Sequence, residues 1–355
     1  MVEARELLVD KGALRLARFA STETALGDGE ALLRLDRFAL TSNNVTYAAI
    51  GEQFGYWKFF PTAPPNGRVP VWGFADIAES RAPELAVGER IWGYFPIGSH
   101  LVVTPTKVSA RGFVDGAAHR AGLPPVYNQY ERVAADPAYK PEYEGHIALF
   151  RPLFVTGFLI DDYLAESDFF GAQRVMLSSA SSKTALGLAK CLKDRGGVEV
   201  VGLTSARNAD FVRKTGYYDR VVTYDRLGDL PSDAPTALVD MAGDAPLINA
   251  LSDRLGDAFV HNCMVGGTHW EARAAETKGP PRALFFAPDR IVKRNKDWGA
   301  EGFASRYAAA WGAFLGSTGG WLKVLEKRGE GPVRDAWLAL LDGDARPEEG
   351  FILRV

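Results

Sequence analysis

The sequence predicts an α/β protein in which a β-rich domain precedes a parallel sheet covered by helices. The chain has 355 residues, enough for two domains with cores of their own. Residues 1–110 show the alternation typical of β-strands, whereas five apolar runs separated by helical stretches follow residue 174. Apolar strands that alternate with helices form parallel sheets buried on both faces.

Composition and charge are those of an ordinary globular protein. Hydrophobic residues make up 47% of the chain and the formal net charge is −3, so neither nucleic acid nor a membrane surface is an expected partner. The N-terminal residues are too charged for a signal peptide, and no segment approaches the roughly 18 apolar residues of a membrane span. The two cysteines, Cys191 and Cys263, imply no disulfide framework, which favours a cytoplasmic location.

The β-rich part contains two clear strand regions and one unusual segment. Residues 31–40 have the strand period, and residues 85–105 contain strands joined by Gly and Pro turns. Residues 111–150 are rich in Pro, Tyr and charged residues and show little periodicity. A structureless loop of that length is more often functional than a linker, although a linker or a helical excursion remains the alternative.

The predicted parallel sheet has its first ligand-binding turn at residues 178–184. The five candidate strands are residues 174–180, 198–204, 220–225, 236–242 and 258–265. Ligands bind such sheets at the carboxyl ends of the strands. Because the first N–H groups of a helix lack partners within the helix, a strand–turn–helix connection of this kind can bind a phosphate.

This turn contains serines where a dinucleotide-binding loop usually has glycines. Serine is small and adds a hydroxyl donor, and Lys183 in the first helical turn is unfavourable against the helix dipole unless an anion lies between them. A plain strand–helix connection with a solvated lysine is the alternative, and a Walker loop would need Gly at positions 177 and 182. We expect the turn to bind a dinucleotide phosphate through Ser179, Ala180, Ser181, Ser182, Lys183 and Thr184.

The end of the second strand indicates which dinucleotide binds. An NAD-binding protein usually places an Asp or Glu about twenty residues past the loop. Here the strand ends in Thr204 and Ser205, and Arg207 follows without an acid. A hydroxyl followed by Arg suits a 2′-phosphate, so the expected cofactor is NADP(H) rather than NAD(H). A solvated Arg207 at a helix start is the alternative reading.

Several segments carry a family resemblance. They are EALLRLDRFALTSNNVTYAAIGE (30–52), VPVWGFADIAES (69–80), LAVGERIWGYFPIGSHLVV (85–103), PLFVTGFLIDDYLAESDFFGAQRVML (152–177) and RVVTYD (220–225). With these segments the chain resembles the medium-chain dehydrogenase/reductase superfamily, in its zinc-free quinone-oxidoreductase and enoyl-reductase branch. LPPVYNQY (123–130) and FFAPDRIVKRNKDWG (285–299) resemble an uncharacterised branch without an assigned reaction.

The resemblance implies the domain plan and part of the cofactor site. A GroES-like catalytic domain is expected at residues 1–150, with the insertion at 111–150. A Rossmann domain is expected at 151–289, and residues 290–355 are expected to return to the catalytic domain. Tyr224 is expected beside the adenosine phosphate, and Met241, Val265 and Gly266, near the ends of two further strands, are assigned to the same site.

The chain departs from the family at two motifs. Gly73-Phe74-Ala75 stands in place of the zinc motif, and the first 190 residues contain no cysteine, so no metal is expected. The stretch at residues 180–185 lacks both glycines of the family's nucleotide loop.

Hydride transfer is the chemistry of the cofactor, so the protein must orient the substrate and stabilise the charge on its oxygen. Tyr47 lies where the resemblance implies a substrate-facing aromatic residue, flanked by Asn44 and Thr46, with Tyr56 as a second donor. A core position for Tyr47 is the alternative. Tyr127 and Tyr130 of the insertion are expected to close over the pocket unless they lie on a surface loop, and Phe286 is also assigned to the substrate.

These observations predict an NADPH-dependent reductase of an activated C=C or C=O bond in a quinone, enone or enoyl thioester. The alternative is an NADP(H)-binding sensor or scaffold whose glycine-poor loop has lost turnover. A basic group at residues 290–296 is expected to be a solvated helix face or a site for a substrate anion. The apolar run RALFFAP (282–288) is a candidate edge strand, which predicts a homodimer.

Overall fold

The chain divides into two units, and the second interrupts the first. The computed structural model describes residues 1–137, 139–265 and 277–355. Met1–Leu149 and Lys323–Val355 form the first unit, and Phe150–Leu322 form the second. The chain therefore returns to the first unit at Lys323, later than the expected position near residue 290.

The described residues contain the following secondary structure. The strands are β1 (Val2–Asp10), β2 (Ala13–Thr24), β3 (Ala31–Leu40), β4 (Asn66–Arg68), β5 (Pro70–Ser80), β6 (Arg90–Pro96), β7 (His100–Val103), β8 (Pro105–Ser109), β9 (Gly112–Asp115), β10 (Gln129–Arg132), β11 (Arg174–Leu177), β12 (Glu199–Thr204), β13 (Arg220–Thr223), β14 (Thr236–Asp240), β15 (Phe259–Met264), β16 (Arg282–Leu284), β17 (Lys323–Arg328) and β18 (Glu349–Arg354). The α-helices are α1 (Ser42–Ala49), α2 (Gly51–Phe54), α3 (Glu144–Glu166), α4 (Lys183–Arg195), α5 (Ala209–Thr215), α6 (Ala245–Leu255), α7 (Ala287–Thr318) and α8 (Glu330–Leu341). Short 3-10 helices cover Tyr56–Lys58, Ala118–Arg120, Pro125–Asn128, Val133–Ala135, Pro141–Tyr143, Asp168–Gly171, Ala206–Asn208, Tyr224–Asp229 and Gly256–Ala258. No described helix is both long enough and apolar enough to cross a membrane.

The first unit is built on two sheets. Strands β2, β1 and β4 form the smaller one, and the larger one runs β17-β18-β3-β5-β6-β10-β9-β8, with β7 paired to β3. Its core holds the alternating apolar residues of β3, β5 and β6, including Leu33, Val71 and Ile91, together with Trp337 of α8. Six of the seven residues of β6 are buried, so this strand is covered on both faces.

Residues 111–150 do not form the structureless loop that their composition predicted. Strands β9 and β10 extend the larger sheet, with Tyr130 opposite Phe113. Arg120 is buried and paired with Asp115 at 2.9 Å. Buried charges need such a partner, so this segment is an integral part of the unit. The sequence shows no clear alternation for β9 and β10 because each strand has only four residues.

The second unit contains a six-stranded parallel sheet in the order β13-β12-β11-β14-β15-β16. The five predicted strands are confirmed, and β16 adds a sixth within the candidate edge strand at residues 282–288. Apolar residues of the central strands, such as Val201 and Leu238, pack with Ile248 and Leu251 of α6. Because apolar side chains such as Val and Leu are buried on both faces of the sheet, these strands appear in the sequence as continuous apolar runs.

Helix α7 keeps the chain beyond residue 290 in the second unit, which ends at Leu322. The helix is interrupted at Gly299, whose φ is 72°. Beyond that point Tyr307, Trp311 and Phe314 lie three or four residues apart on one helical face, where they stack against Phe154 of α3 with ring centroids 4.9–5.9 Å away. This aromatic packing holds the helix to the second unit, so the chain cannot leave that unit at residue 290.

Candidate nucleotide-binding turn and tyrosine cluster

The turn between β11 and α4 lies at the carboxyl edge of the parallel sheet. Ser179 adopts a left-handed conformation with φ 48°, a backbone state that glycine usually supplies. Ser182 is the N-cap of α4, and its Oγ accepts a hydrogen bond from the N–H of Ala185 at 3.3 Å. Serine therefore takes two roles in this turn, as the left-handed residue and as the helix cap.

Two tyrosines that flank β13 hold the turn by hydrogen bonds. The hydroxyl of Tyr224 accepts a hydrogen bond from the N–H of Ser179 at 2.8 Å. The hydroxyl of Tyr218 donates to the carbonyl oxygen of Ala180, also at 2.8 Å. Gly202 of β12 makes this approach possible, because a Cβ there would lie 2.9 Å from the Tyr218 ring and 3.0 Å from Ala180 Cβ. Tyr224 thus lies against the turn, and the Ser179 N–H already has an acceptor.

Asp240 and Ser178 join this turn to the one after β14. The fully buried Asp240 carboxylate accepts hydrogen bonds from Ser178 Oγ at 2.9 Å and from the N–H of Gly243 at 3.1 Å. Ser178 Oγ in turn accepts from the N–H of Met241 at 2.8 Å, and the Val265 N–H donates to the Asp240 carbonyl at 2.9 Å. Met241 and Val265 therefore lie at the expected edge of the sheet. Their N–H groups donate hydrogen bonds to Ser178 and Asp240 and so stabilise the two turns.

The end of β12 meets the same turn. Thr204 is buried, whereas Ser205 is half-buried and Arg207 is exposed on the 3-10 helix Ala206–Asn208. The side-chain amide of Asn208 donates to Ser181 Oγ at 3.1 Å, which ties this helix to the turn. Sequence reasoning missed Asn208, Asp240 and Tyr218. The signal that could have pointed to Asp240 was an acid at the end of a buried strand.

Lys183 has a defined contact in the second unit. Its Nζ lies 5.9 Å from the ring centroid of the buried Phe150, within range of a cation–π interaction. The helix that carries it packs closely on α3, since a Cβ on Gly187 would lie 3.0 Å from the Phe154 ring. The glycine that permits close packing of this helix is thus at position 187, one turn beyond the family loop.

The first unit contains a second candidate site, which we call the tyrosine cluster. Its members are Tyr47 of α1, Tyr56, Phe59, Phe60, Trp72 of β5, Tyr94 of β6 and Tyr127. The rings of Tyr47 and Tyr56 have centroids 4.5 Å apart, and those of Tyr94 and Tyr127 are 4.8 Å apart. The hydroxyl oxygens of Tyr56 and Tyr127 are 3.4 Å apart. The structure thus brings together Tyr47, Tyr56 and Tyr127, which the sequence singled out.

The hydroxyls of Tyr47, Tyr94 and Tyr127 are neutral donors at physiological pH. Burial raises the pKa of Tyr47, and the neighbouring Tyr56 raises it further. Burial also raises the pKa of Tyr94 and of Tyr127. Sequence reasoning missed Tyr94 and Trp72, although the alternation in GERIWGYFP places Trp92 and Tyr94 on one face of β6.

Three residues predicted beside Tyr47 or above the pocket have structural roles. Asn44 is the N3 residue of a capping box, in which its Oδ1 accepts from the Thr41 N–H at 2.7 Å. Thr46 points its hydroxyl toward the Ser42 carbonyl of the same helix, 3.5 Å away. Tyr130 is fully buried, and its hydroxyl donates to the Tyr94 carbonyl at 2.7 Å. Tyr130 is therefore a core residue and does not cover the cluster.

The remaining predicted positions are dispersed. Phe286, at the start of α7, is exposed in the second unit, and Gly266 lies outside the described residues. Arg290 and Arg294 are buried rather than solvated, and both pair with Asp162 of α3. The basic group is therefore largely committed to a buried ion-pair network. No group of three or more His, Cys, Asp or Glu side chains suited to a metal occurs in the described parts of the chain.

Solved structures share this architecture over nearly the whole chain. CurA of Vibrio vulnificus, in complex with NADPH, has a TM-score of 0.62 at 14% identity and covers 98% of each chain. The complex of Etr1p with NADP and crotonyl-CoA has a TM-score of 0.60 at 11% identity, over 99% of this chain and 100% of that one; Etr1p is from Candida tropicalis. A putative NADPH:quinone reductase of Bacillus thuringiensis has a TM-score of 0.56 at 11% identity, with 99% of each chain covered.

These likenesses establish the fold. The prediction of a Rossmann-type sheet combined with a GroES-like domain is confirmed. A family model described as "Protein of unknown function (DUF2855)" matches residues 38–346. No curated protein matches the sequence.

Proposed function

We propose that this chain, which belongs to the DUF2855 family and has the fold of medium-chain reductases, is an NADPH-dependent reductase of small molecules with an activated C=C or C=O bond. The observation that carries the proposal is the strand–turn–helix site at residues 178–183, with Ser205 and Arg207 at the same sheet edge. The structural neighbour CurA was solved with NADPH, on the same fold.

The residues of the turn fit a dinucleotide phosphate. Helix α4 begins directly after the turn, and the N-terminus of a helix favours an anion through its first N–H groups and its dipole. Tyr224 accepts the Ser179 N–H and keeps its own proton, because burial raises the pKa of its hydroxyl. The Tyr224 hydroxyl can donate that proton to a phosphate oxygen. It thereby replaces the Ser179 N–H, which is not available to the phosphate because it donates to Tyr224.

Arg207 and Ser205 would recognise the 2′-phosphate that distinguishes NADPH from NADH. The guanidinium of Arg207 is exposed beside the turn and matches a phosphate in geometry and charge. No acid follows β12 directly to bind a free ribose hydroxyl in its place. We therefore assign NADP(H) as the cofactor of the second unit.

The tyrosine cluster of the first unit would bind the substrate. When bound, NADPH supplies the hydride, and the protein supplies orientation and charge stabilisation. Tyrosines with a raised pKa are neutral donors that hydrogen-bond a carbonyl oxygen and stabilise the negative charge that develops on it. Tyr47, Tyr56 and Tyr127 are the donors that the sequence and the structure have in common.

Two measurements test the proposal. Binding of NADPH and NADH is measured by nicotinamide fluorescence, and turnover by the loss of nicotinamide absorbance with matched panels of quinones, enones and enoyl thioesters. We expect tighter binding of NADPH and oxidation that depends on one of these acceptors. Equal affinity for both cofactors, or no binding of either, would contradict the cofactor assignment.

A second candidate function is a non-catalytic NADP(H)-binding sensor. The specific observation in its favour is that the Ser179 N–H already donates a hydrogen bond to Tyr224, in a turn that lacks both glycines of the family loop. Binding of NADPH without oxidation by any acceptor class would support this candidate over the reductase.

We also propose that the protein is a homodimer that pairs through β16. This short strand ends the six-stranded sheet, and Leu284 and Phe286 are exposed at 65% and 52%. An apolar sheet edge of this kind favours pairing with its own copy.

A further inference from the structure

Asn208 is the N-cap residue of α5, a position where an asparagine usually bonds the first N–H groups of its own helix. Its side chain makes no such hydrogen bond. The amide nitrogen instead donates to Ser181 Oγ at 3.1 Å, on a residue 27 positions earlier in the chain. Asn208 therefore contacts the turn between β11 and α4 rather than its own helix.

This contact joins the nucleotide-binding turn to the segment that we assign to the 2′-phosphate. The N–H of Ala180 donates to the Leu203 carbonyl at 2.9 Å, so the turn lies against the end of β12. Ser181 is the next residue of the turn, and Arg207 precedes Asn208 in a short 3-10 helix. The bond from Asn208 therefore fixes the Ser181 side chain beside the segment that carries Arg207.

The direction of this hydrogen bond decides what the Ser181 hydroxyl offers to a ligand. A serine hydroxyl has one proton to donate and two lone pairs that accept, whereas the amide nitrogen of asparagine only donates. The bond from Asn208 therefore occupies a lone pair of Ser181 Oγ and not its proton. Among the described residues none accepts that proton, and Ser181 is half-buried rather than enclosed. A hydroxyl directed in this way is a donor for an anion such as a phosphate.

We propose that Asn208 determines the preference of this site for NADPH, because it holds Ser181 so that the hydroxyl proton is donated to the 2′-phosphate. This inference rests on the proposed function and names a specificity-determining residue of its cofactor site. Asn208 acts through Ser181 and is in this sense a positioning residue. An acid at position 208 would have the opposite effect. A carboxylate only accepts, so it would take the Ser181 proton and repel a phosphate.

The test replaces the Asn208 amide by a carboxylate of the same shape. In Asn208→Asp the contact with the turn is retained, because Ser181 can donate to the carboxylate, so the variant is expected to fold. Affinities of NADPH and NADH for the full-length protein are measured by nicotinamide fluorescence. We expect NADPH to bind the variant about a hundredfold more weakly than the wild type. NADH should bind equally well or more tightly, since an acid after the second strand binds ribose hydroxyls in other dinucleotide sites.

Three further measurements locate the effect. Calorimetry with adenosine 2′,5′-bisphosphate and 5′-AMP should show a loss for the first ligand alone. Ser181→Ala removes the donated proton and leaves Asn208 in place, so it should weaken NADPH roughly tenfold and leave NADH unchanged. Asn295→Asp is the matched control, because Asn295 is exposed on α7 and bonds the Ile291 carbonyl of its own helix at 2.9 Å. That control should retain the wild-type ratio of the two affinities.

The outcomes separate this inference from the proposed function. An Asn208→Asp protein that retains the wild-type ratio, or that loses both cofactors equally, would overturn the role of Asn208 even if NADPH is oxidised. A shift toward NADH in a protein that oxidises neither cofactor with any acceptor would support the role of Asn208 and contradict the reductase. A wild type without a preference for NADPH would overturn both this inference and the cofactor assignment.

Discussion

The hydroxyl of Tyr224 and the N–H of Ser179 form a hydrogen bond of 2.8 Å across the turn where a nucleotide phosphate would bind. This bond fixes a non-glycine residue in a left-handed conformation, with φ 48°. Tyr224, at the end of β13, thus stabilises a left-handed turn residue where other dinucleotide loops have a glycine. Its hydroxyl also provides a hydrogen-bond donor where those loops have a free backbone amide.

Tyr224→Phe tests this relationship. The variant removes both the acceptor for the Ser179 N–H and the proton that we expect to reach a phosphate oxygen. We expect NADPH and NADH to lose affinity to the same degree, by roughly three- to tenfold, as for the loss of one neutral hydrogen bond. Fluorescence titration with both cofactors measures this. A change in only one cofactor would show that Tyr224 lies at the 2′-phosphate rather than at the turn.

Arg207→Ala should distinguish the two cofactors. A charge-assisted bond to phosphate is worth on the order of 1.5–3 kcal/mol, so NADPH affinity should fall roughly ten- to a hundredfold. NADH lacks the 2′-phosphate and should bind the variant as it binds the wild type. Arg213→Ala is the matched control, because Arg213 is exposed on the next helix and paired with Asp210 at 2.8 Å. Equal losses for NADPH and NADH, or none, would contradict the assignment.

Lys183→Ala should weaken both cofactors together if this lysine faces the pyrophosphate. Its cation–π contact with Phe150 at 5.9 Å offers a different role, in which the substitution lowers stability but not cofactor affinity. Titration and thermal unfolding of the same variant separate the two roles. Lys190→Ala, on the same helix and paired with Asp194, serves as the control.

The parallel sheet could be predicted from the sequence, because its central strands are buried on both faces. The expected strand at residues 198–204 is observed as Glu199–Thr204, and the expected helix begins directly after its serine cap, Ser182. These features depend on local patterns, namely apolar runs and capping residues. The side-chain partners across the sheet edge, such as Ser178 with Asp240, are distant in sequence and left no local pattern.

Tyr127 and Tyr130 show why the substrate side was harder to predict. They are three residues apart in a segment without clear periodicity, yet Tyr127 joins the tyrosine cluster and Tyr130 enters the core. The difference arises because Tyr127 lies in a 3-10 helix, whereas Tyr130 lies in β10 and faces Phe113. Pairing of so short a strand is decided by tertiary contacts such as the buried Arg120–Asp115 pair.

Acid should weaken the ion-pair network between α3 and α7 in the second unit. A hydrogen bond from Lys293, with the charges of Arg290 and Arg294, lowers the pKa of Glu166 to about 2. An unfolded glutamate titrates near pH 4.3, so the contribution of Glu166 to stability is complete above that pH and is lost as the pH falls toward 2.

Glu166→Gln checks this dependence. Glu166 is 36% exposed at its side chain, so solvent screening limits its contribution to on the order of 1 kcal/mol. We expect the variant to be less stable at neutral pH and to lose less stability than the wild type between about pH 5 and pH 2. The free energy of unfolding in urea measures this. Glu301→Gln, at an exposed position of α7, should retain the wild-type pH dependence.

The exposed edge at β16 should determine the oligomeric state. Among the described strands, β16 pairs with β15 alone and ends the sheet, and Leu284 in it is 65% exposed. An arginine at this position places like charges against each other across a symmetric edge pairing and removes apolar contact area. We expect light scattering at micromolar concentration to find a dimer for the wild type and a monomer for Leu284→Arg. Leu16 of β2 is also 65% exposed, so Leu16→Arg is a matched control that should remain dimeric. A monomeric wild type, or a dimer that survives Leu284→Arg but not Leu16→Arg, would rule out pairing through β16.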